Sequence, residues 1–442
     1  MSPRQRSLAA FALVLALAAG LVVSVRKATP SELRVYTLAA ERMMGGEPVY
    51  RVGELKPFTY PPFFALPFVP LALLPEPLHK GLFFLLNAGM LGVILAVLAR
   101  RVRPLAAPPA ARSDGPRLGH FWLAVGLVAG WHVNTVFEKQ THDFIVFLLL
   151  ALCIDRWAAG RDGAAGVLAG LATACKATPA LFVLPFLLQR RWRALFAMGL
   201  SAIAASFVPD LVFPASDGQS WAVTWYHDYA RGVQLGESAA TPGEWTAWNI
   251  LNQNLAGTVY RLSTPVVETV GQFDVSLWAP DHGTVRALTT GVQVAVLALL
   301  VLACRGGSVG PDGWRAVGIG GATLAAMVLL SPWSSKTHFC VLLVPVAFCL
   351  GHLFFIRPDR LVTALMVSCG VIGLLTAKDV WGRPLVNALL ARGSVTWCAL
   401  LCLVASVRIL LQDDSQCANV LAEKPAHPRA GQAPSPPPGP AS

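Results

Sequence analysis

The first residues that could do chemistry lie in the stretch SELRVYTLAAERMMGGEPVY, residues 31–50. Ser31 is a predicted helix N-cap, and the Gly-Gly pair predicts the end of the helix. Glu32 precedes Tyr36 by four positions, so both side chains project from the same side. A carboxylate held at the surface of a membrane can act as a general base. Spacing alone favours a simpler role for Glu32, as an ionised partner of the helix dipole.

Basic side chains suited to a phosphate follow at Lys176, Lys336 and His338. A lysine provides a point charge and an imidazole provides a hydrogen-bond donor to a phosphate oxygen. Each has a structural alternative. Lys176 can extend from a helix end toward the membrane interface, and His338 can bond to the backbone at a helix start.

A dense run of amides occurs in the segment NQNLAGTVYRL. Its candidate ligands are Asn252, Gln253, Asn254 and Arg261. Amides both donate and accept hydrogen bonds, which suits sugar hydroxyls, and a guanidinium suits phosphate. The alternatives are a capped helix start for the amides and an ion pair with Glu244 or Glu268 for Arg261.

Two further groups allow a functional and a structural interpretation. His142 and Asp143 could form a histidine–carboxylate pair, but an N-cap by Asp143 for the next helix is the favoured interpretation. The aromatic residues of a long loop can stack on sugars, although an interfacial aromatic belt is favoured. They are Trp221, Trp225, Tyr226, Tyr229, Trp245 and Trp248.

The elements that must position these residues are membrane helices. Of the 442 residues, 55% are hydrophobic and only 13% are charged, whereas soluble domains average about twice that charged fraction. The mean hydropathy is +0.57, and many apolar runs have the length of a helix that crosses a bilayer. The sequence therefore predicts an all-α polytopic integral membrane protein, with about 11–13 transmembrane helices and a juxtamembrane helix on the outer face.

The net charge of +11 does not indicate a nucleic-acid partner. The basic residues form short clusters between apolar runs, which is typical of cytoplasmic loops, and no nucleic-acid-binding motif occurs. Nine cysteines are scattered along the chain without a CxxC motif. They are predicted to act as small buried apolar residues and to form no metal site.

The order of the apolar runs predicts the topology. The first run is interpreted as an uncleaved helix rather than a signal peptide, with a cytoplasmic N-terminus. Predicted spans are about 8–25, 79–99, 118–133, 143–157, 164–178, 180–190, 193–213, 287–304, 315–330, 338–355, 360–376 and 394–411. All basic connections then fall on the cytoplasmic side, which agrees with the positive-inside rule.

The domain organisation follows from this topology. One transmembrane domain, 1–411, carries outer-face loops at 26–60, 134–142, 214–286 and 331–338, and a disordered cytoplasmic tail occupies 412–442. The segment 60–75 is short and interrupted by prolines, so it is predicted to be re-entrant or interfacial. Lys176 and Pro179 interrupt another apolar run, which predicts two short helices that meet near the outer surface.

In their order and spacing, these motifs resemble glycosyltransferase family 87, the bacterial polyprenol-phosphate-mannose-dependent mannosyltransferases. The pattern is an acid, then Val-Tyr, small residues and Gly-x-Pro-x-Tyr, and it continues through FTYPPFFALPFVPLALLP, EKQTHDF, CKATP, NQNLAGTVYRL and LSPWSSKTHFCVLLVP. Two features depart from the family pattern. Glu32 stands where the family usually has Asp, and SPWSSKTH lacks a Trp position and one His while bringing Lys336 close by.

The resemblance implies an enzyme of the GT-C architecture that moves a sugar, with mannose the first candidate, from a polyprenyl-phosphate donor to an envelope lipid or glycan acceptor. Transfer would occur with inversion, on the periplasmic side of the bacterial cell membrane, with Glu32 as the base and without a cofactor or metal ion. The implied substrate-binding residues are Tyr36, Tyr60, Gln140, Lys176, Asn252, Gln253, Asn254, Arg261, Lys336 and His338.

Two alternatives from other functional classes stay open at this point. A transporter or flippase of a lipid-linked or small polar substrate predicts charges near the middle of the membrane and repeated halves. Apart from Lys176, the sequence shows neither. The altered SPWSSKTH motif keeps a non-catalytic partner in polysaccharide assembly as a third possibility. An enzyme requires Glu32, His338 and the amide cluster to converge on one outward cavity.

Overall fold

Helices make up all the regular secondary structure in the described residues, which confirms the all-α prediction. The structure, a computed structural model, describes residues 15, 17–26, 32–51, 53–54, 56–106, 115–237, 248–265, 274–305 and 313–422. The helices are α1 (Leu17–Arg26), α2 (Leu33–Met44), α3 (Pro62–Ala72), α4 (Glu76–Ala106), α5 (Gly115–Lys139), α6 (Asp143–Ala158), α7 (Asp162–Cys175), α8 (Thr178–Leu188), α9 (Trp192–Val212), α10 (Trp221–Trp225), α11 (Leu255–Ser263), α12 (His282–Cys304), α13 (Trp314–Leu330), α14 (Lys336–Ile356), α15 (Arg360–Leu375), α16 (Lys378–Ala391) and α17 (Ser394–Ala422).

Five of these helices are long and apolar enough to cross a membrane, namely α4, α9, α12, α14 and the first part of α17. The pair α15 and α16, bent by 98° at the break between them, would form a sixth span. Shorter apolar helices include α1, α3, α7, α8 and α13. The predicted spans after residue 25 all overlap with helices, but within the described residues only five or six of them are long and apolar enough to cross a membrane, fewer than the 11–13 predicted. The chain is therefore a polytopic membrane protein.

Helix α13 lies at the centre of the bundle, because nearly every one of its side chains is buried. Its sequence WRAVGIGGATLAAMVLL is rich in small residues, which allow neighbouring helices to approach closely. At Gly318 and Gly320, the ring of Phe348 and the side chain of Ile154 occupy the space that a Cβ atom would need. The C-terminal end of this rigid helix leads directly into the SPWSSKTH segment.

Helices α7 and α9 also pack through glycine. An added Cβ at Gly166 or Gly170 would overlap the backbone carbonyls of Ala194 and Met198 on α9. The four-residue spacing puts both glycines on one face of α7. This contact fixes α7, and therefore the position of Lys176 directly after its last residue.

Helix α2 follows the sequence prediction closely. Leu33, Tyr36, Ala40 and Met43 form its buried face, each no more than 2% exposed. The helix ends at the predicted glycine pair, where Gly46 has a φ of +66° that glycine adopts without strain. The predicted cap Ser31 lies outside the described residues, and Glu32 occupies the N-cap position without a capping hydrogen bond.

Two irregular segments were also anticipated. The proline-rich segment forms α3, which has eleven residues from Pro62 to Ala72 and is too short to span a bilayer core as a helix. Helices α7 and α8 are separated by Lys176 and Ala177. The C-terminal prediction differs from the structure, because α17 continues past residue 412 to Ala422, and residues 423–442 lie outside the described part.

Candidate active site

Two adjoining chambers open where the helix breaks meet. The apolar chamber has a volume of about 400 Å³, and its walls include Leu181, Trp225, Met327, Leu330 and Pro332. The polar chamber has a volume of about 520 Å³, and its walls include Glu32, Tyr36, Lys56, Lys336, Lys378 and Arg383. Both chambers share Thr59, Tyr60, Trp333 and His338. An apolar pocket therefore borders a charged one.

A buried charge cluster, consisting of His142, Asp143, Lys176 and His338, lies beside the junction of the chambers. Asp143 Oδ1 is 3.5 Å from His338 Nε2, 3.9 Å from Lys176 Nζ and 3.9 Å from His142 Nε2. The hydroxyl of Thr141 donates a hydrogen bond to Asp143 Oδ2 at 2.7 Å. A buried carboxylate requires such compensation.

Helix boundaries explain why these four side chains meet. Lys176 has an extended backbone between α7 and α8, where Pro179 can begin a new helix but cannot continue the old one. His338 lies in the first turn of α14, after the SPWSSKTH connection, and Asp143 is the first residue of α6. All three lie at ends of helices that face one another.

The favoured sequence interpretation of Asp143 is therefore wrong. Its carboxylate does not cap α6, because the N-cap residue is His142 and no side-chain capping bond exists there. Instead, Asp143 serves as the shared anion of the cluster. The alternative that paired His142 with Asp143 describes the structure better, although the closest imidazole belongs to His338.

An aromatic enclosure fixes His142. The rings of Tyr36, Tyr60 and Phe64 lie 4.9, 4.5 and 4.6 Å from its ring. Burial lowers the pKa of His142 to about 4 and raises the pKa of Tyr36 well above its usual value. The imidazole is thus neutral at pH 7. The Tyr36 hydroxyl and His142 Nδ1 form a hydrogen bond of 2.8 Å whose direction depends on the imidazole tautomer, and His142 Nε2 faces Asp143.

Glu32 lies in the wall of the polar chamber, on the same side of α2 as Tyr36, as predicted. Its carboxylate accepts a hydrogen bond from Lys56 Nζ at 2.7 Å, and both side chains are more than 30% exposed. Lys56 itself has a φ of +59°, an uncommon conformation for a residue other than glycine. The pair is thus accessible from the chamber and held by a strained loop.

Positive charge dominates the polar chamber. Its wall contains the basic residues Lys56, Lys139, Lys336, Lys378 and Arg383, against the acids Glu32 and Glu138. Lys336 donates to the carbonyl of Thr376 at 2.7 Å, and Lys378 forms an ion pair with Glu138. A chamber of this composition attracts anions.

The amide cluster has a structural role that differs from the predicted sugar contacts. Asn254 caps α11 through Gly257 N at 2.6 Å and binds the carbonyls of Ser331 and Pro332 at 2.7 and 2.8 Å. Asn252 and Gln253 likewise bind backbone groups, and all three are buried. None of them lines either chamber, although Asn254 lines a neighbouring cavity of about 550 Å³ that shares Leu330, Pro332 and Trp333 with the apolar chamber. The hydrogen bonds of all three amides hold the SPWSSKTH connection in place.

Arg261 is also corrected to a structural role. Its guanidinium donates to the carbonyls of Ala391, Asn249 and Asn252 at 2.8 to 3.0 Å, and it is 1% exposed. Burial lowers its pKa to about 9. It lines neither chamber, and its two predicted partners, Glu244 and Glu268, lie outside the described residues.

Gln140 is buried away from the chambers. Its amide donates to Ser24 Oγ at 2.5 Å and to the Ser24 carbonyl at 3.1 Å, which joins the α5–α6 connection to α1. Its φ of +53° reverses the chain immediately before His142. Gln140 therefore positions the cluster instead of contacting a substrate in the chambers.

The structure thus brings six of the predicted site residues to the chamber walls and adds others. The six are Glu32, Tyr36, Tyr60, Lys176, Lys336 and His338. Sequence reasoning missed Lys56, Trp333, Lys378 and Arg383, and it placed Asp143 outside the site. A histidine next to an acid in an outward loop was the one available signal for the buried cluster.

The predicted aromatic loop contributes in part. Trp225 and Tyr229 line the apolar chamber, and Trp225 Nε1 donates to the carbonyl of Thr59 at 3.0 Å. Trp221 is buried, with its indole N–H bonded to Phe213 at 2.8 Å. Trp245 lies outside the described residues. Two of these side chains therefore belong to the site.

His142, Asp143 and His338 could offer one metal-ligand atom each, because these atoms lie within 4.8 Å of one another. Lys176 already provides a positive charge 3.9 Å from the same carboxylate. A divalent cation at this point would be repelled by that ammonium group. The cluster is therefore better suited to the lysine ammonium group than to a metal ion.

Comparison with known proteins identifies the family. Residues 58–332 match the family model described as glycosyltransferase family 87, and this range is more than half of the chain. The chain belongs to glycosyltransferase family 87. This confirms the resemblance found in the sequence, together with the prediction of a membrane glycosyltransferase of the hexosyltransferase class.

Curated relatives of this family 87 enzyme cover most of its length. It is 27% identical over 408 residues to the polyprenol-phosphate-mannose-dependent alpha-(1-2)-phosphatidylinositol mannoside mannosyltransferase of Mycobacterium tuberculosis, with 85% of this chain and 84% of the relative covered. It is 28% identical over 378 residues to the corresponding pentamannoside mannosyltransferase of Mycolicibacterium smegmatis, with 80% and 76% covered.

A solved structure is more distantly similar. The crystal structure of ArnT from Cupriavidus metallidurans bound to undecaprenyl phosphate is 15% identical, with 94% of this chain and 81% of that chain covered and a TM-score of 0.38. A score this low does not by itself establish a shared fold.

Proposed function

We propose that this family 87 enzyme transfers a sugar from a polyprenyl-phosphate donor to a lipid or glycan acceptor inside the two chambers. The observation that carries the proposal is the junction of an apolar chamber with a basic polar chamber. A polyprenyl-phosphate sugar needs both environments at once, because its tail is apolar and its headgroup is anionic and polar. The names of the curated relatives support mannose as the sugar.

The donor phosphate is assigned to the junction itself. His338 borders both chambers, and Lys176 lines the apolar chamber beside it with its side chain only 13% exposed. A lysine ammonium and an imidazole N–H both suit phosphate oxygens. In a water-poor site, such donors stabilise the charge that develops on a departing phosphate. The prenyl chain would then extend past Leu181, Met327 and Leu330.

The sugar and the acceptor hydroxyl are assigned to the polar chamber. The hydroxyl oxygen attacks the anomeric carbon on the face opposite the phosphate, and the bond from that carbon to the phosphate oxygen breaks with its electron pair retained by phosphate. Glu32 accepts the hydroxyl proton. Attack from the opposite face inverts the anomeric configuration, with an oxocarbenium-like transition state.

Glu32 is the better base of the two acids near the junction. It is 33% exposed toward the chamber, so an acceptor can reach it once Lys56 is displaced. Asp143 is 5% exposed, lines neither main chamber, already pairs with the Lys176 ammonium and lies beside two imidazoles. Its role is to position these side chains. The assignment of Glu32 rests on its place in the chamber wall and in the family motif.

The site is assigned to the outer face of the cell membrane. Three of the segments that meet at the chambers, residues 56–60, 140–142 and 331–338, belong to the loops that the positive-inside pattern puts outside. The same pattern supports cytoplasmic termini. An acceptor that is itself a membrane glycolipid would enter the chambers from the same side as the donor.

A transfer assay with matched variants tests the proposal. Purified protein in nanodiscs is given radiolabelled polyprenyl-phosphate mannose and phosphatidylinositol mannosides. Wild type should form a larger labelled glycolipid, and Glu32→Gln should lose at least about 10²-fold in kcat because the base is absent. Glu41→Gln is the control, since Glu41 lies on the same helix and pairs with Arg34 outside the chambers.

The outcomes separate the parts of the proposal. Equal activity of wild type and Glu32→Gln would remove Glu32 from the chemistry and leave the helix-dipole role. Transfer from a different lipid-linked sugar, such as arabinose or glucose, would correct the donor. No transfer from any of the three lipid-linked donors to an envelope lipid extract would contradict the proposed function.

A further inference from the structure

A second cluster of reactive side chains lies inside the helix bundle, away from the chambers. It contains His132 of α5, Cys369 of α15, and Cys398 and Cys402 of α17. Each of the four residues is completely buried. One ligand atom each from His132, Cys369 and Cys398 lie within 4.8 Å of one another, and the sulfur atoms of Cys369 and Cys402 are 3.8 Å apart.

The imidazole of His132 is the unusual member of this cluster. Neither of its ring nitrogens makes a hydrogen bond of standard geometry within the described part of the chain, and the imidazole interacts with the thiol of Cys369. A buried polar group without a well-formed hydrogen bond is destabilising, and an imidazole in this state offers a lone pair to a metal ion. The thiols make only long hydrogen bonds. Cys398 Sγ lies 3.6 Å from the carbonyl oxygen of Cys369, and Cys369 Sγ lies 3.9 Å from the carbonyl oxygen of Cys398.

The spacing of the ligands matches tetrahedral coordination. Zinc–sulfur bonds of ~2.3 Å at tetrahedral angles place two sulfur ligands about 3.8 Å apart. The distance between Cys369 and Cys402 has this value in the structure. Cys398 and Cys402 are four positions apart and so share one face of α17. His132, Cys369 and Cys398, on three different helices, thus direct their ligand atoms to one point, and Cys402 lies outside this group but 3.8 Å from Cys369.

We propose that His132, Cys369 and Cys398 bind one thiophilic transition-metal ion, with Zn²⁺ as the first candidate for cysteine and histidine ligands and Cys402 as the nearest further thiol. Each thiol that becomes a ligand releases its proton to solvent on binding. This site differs from the sequence prediction, in which the cysteines were interpreted as small apolar residues. It is separate from the transfer chemistry.

The ion would tie α5, α15 and α17 together. These helices support the polar chamber. α5 ends at Glu138 and Lys139, and α15 is followed by Thr376, whose carbonyl accepts the bond from Lys336. A metal in the bundle would therefore hold the ends of α5 and α15 in their positions in the wall of that chamber. Its contribution is to stability and not to any step at the sugar.

The test is the metal content of the full-length protein, purified without chelators. Inductively coupled plasma mass spectrometry should find close to one Zn²⁺ ion, or one ion of another thiophilic metal, per wild-type chain. Cys369→Ser and His132→Ala should each lose most of it. Cys153→Ser is the matched control, because Cys153 is an equally buried cysteine on α6 outside the cluster, and it should retain the metal.

A second measurement avoids dependence on the folding of variants. Wild type grown with Co²⁺ in place of zinc should show the thiolate-to-cobalt charge-transfer absorption of a tetrahedral site. Metal at background level in wild type, with no such absorption, would overturn the proposal. So would unchanged metal content in both cluster variants, or a disulfide between Cys369 and Cys402 detected by mass spectrometry in metal-free protein.

Discussion

Replacing Lys176 by methionine should separate its catalytic role from its structural one. The ammonium lies 3.9 Å from Asp143 Oδ1, and the two side chains are 13% and 5% exposed. Two unit charges at this distance attract each other by about 4 kcal/mol at an effective dielectric constant of ~20. Salt screens such a buried pair little. Methionine preserves the length and apolar stem of the side chain but removes this attraction.

The single variant should lose both stability and activity. Asp143 keeps its negative charge, and the neutral His142 beside it cannot replace the lost cation. Removal of one partner from a buried ion pair costs about 3–5 kcal/mol. Loss of a preorganised donor to a developing charge costs about 10²–10³ in kcat. Thermal unfolding in detergent and initial rates at saturating donor measure the two effects.

The double variant Asp143→Asn with Lys176→Met distinguishes the two losses. Removing both charges leaves no unpaired ion, so most of the lost stability should return. Activity should stay low, because the donor phosphate still lacks its cation. If transfer recovers together with stability, the assignment of Lys176 to the phosphate is refuted, and the lysine acts only as a partner of Asp143.

Four further predictions follow from the same contacts. Asn254→Ala should lower the free energy of unfolding by about 1–3 kcal/mol, because the variant loses the helix cap and the hydrogen bonds to two carbonyls. If Asn254 instead binds the sugar, the variant should show a raised KM for the acceptor at unchanged stability. The unfolded chain binds a proton at His142 with a pKa of 6.5 and the folded protein only at about 4. His142 should therefore contribute a loss of stability of about 3 kcal/mol as the pH falls from 6.5 to 4. Thermal scans of a His142→Gln variant should show a smaller loss, because only the buried His338 of the same cluster then remains to be protonated on unfolding. Excess chelator that leaves the metal content of the protein unchanged should leave the initial rate unchanged, since Lys176 provides the cation at the cluster; an abolished rate with the bundle metal retained would contradict metal-independent transfer. Gly170→Ala should lower the melting temperature and the rate together by forcing α9 away from α7, whereas Gly199→Ala, where an added Cβ meets nothing within 4 Å, should alter neither.

The membrane helices and the helix breaks could be predicted because each depends on local properties. Apolar run length fixes a span, and the amphipathic face of α2 is visible in the spacing of Leu33, Tyr36, Ala40 and Met43. Pro179 beside Lys176 identifies a break, since proline cannot continue a helix. These features need no knowledge of what packs against them, and the structure agrees with them.

The identity of the chamber residues could be predicted only in part, because burial by distant segments decides it. Asn254 and Lys176 are equally polar in the sequence. In the structure, the side-chain NH₂ group of Asn254 donates its hydrogen bonds to the carbonyls of Ser331 and Pro332. The side chain of Lys176, in contrast, lines the apolar chamber. Only the position of the α13–α14 connection in the packed structure determines that Asn254 binds backbone carbonyls while Lys176 lines a chamber.

Asp143 shows why local chemistry can also mislead. An acid at the first turn of a helix suits the helix dipole, and this made a cap the simplest interpretation. The cap was displaced because Lys176 and His338, far apart in the sequence, approach the same carboxylate to within 4 Å. A buried acid next to two imidazoles and a lysine cannot face the backbone and the cluster at once. The long-range pairing prevails, and the same pairing holds Lys176 and His338 at the junction, where a lipid phosphate would be bound.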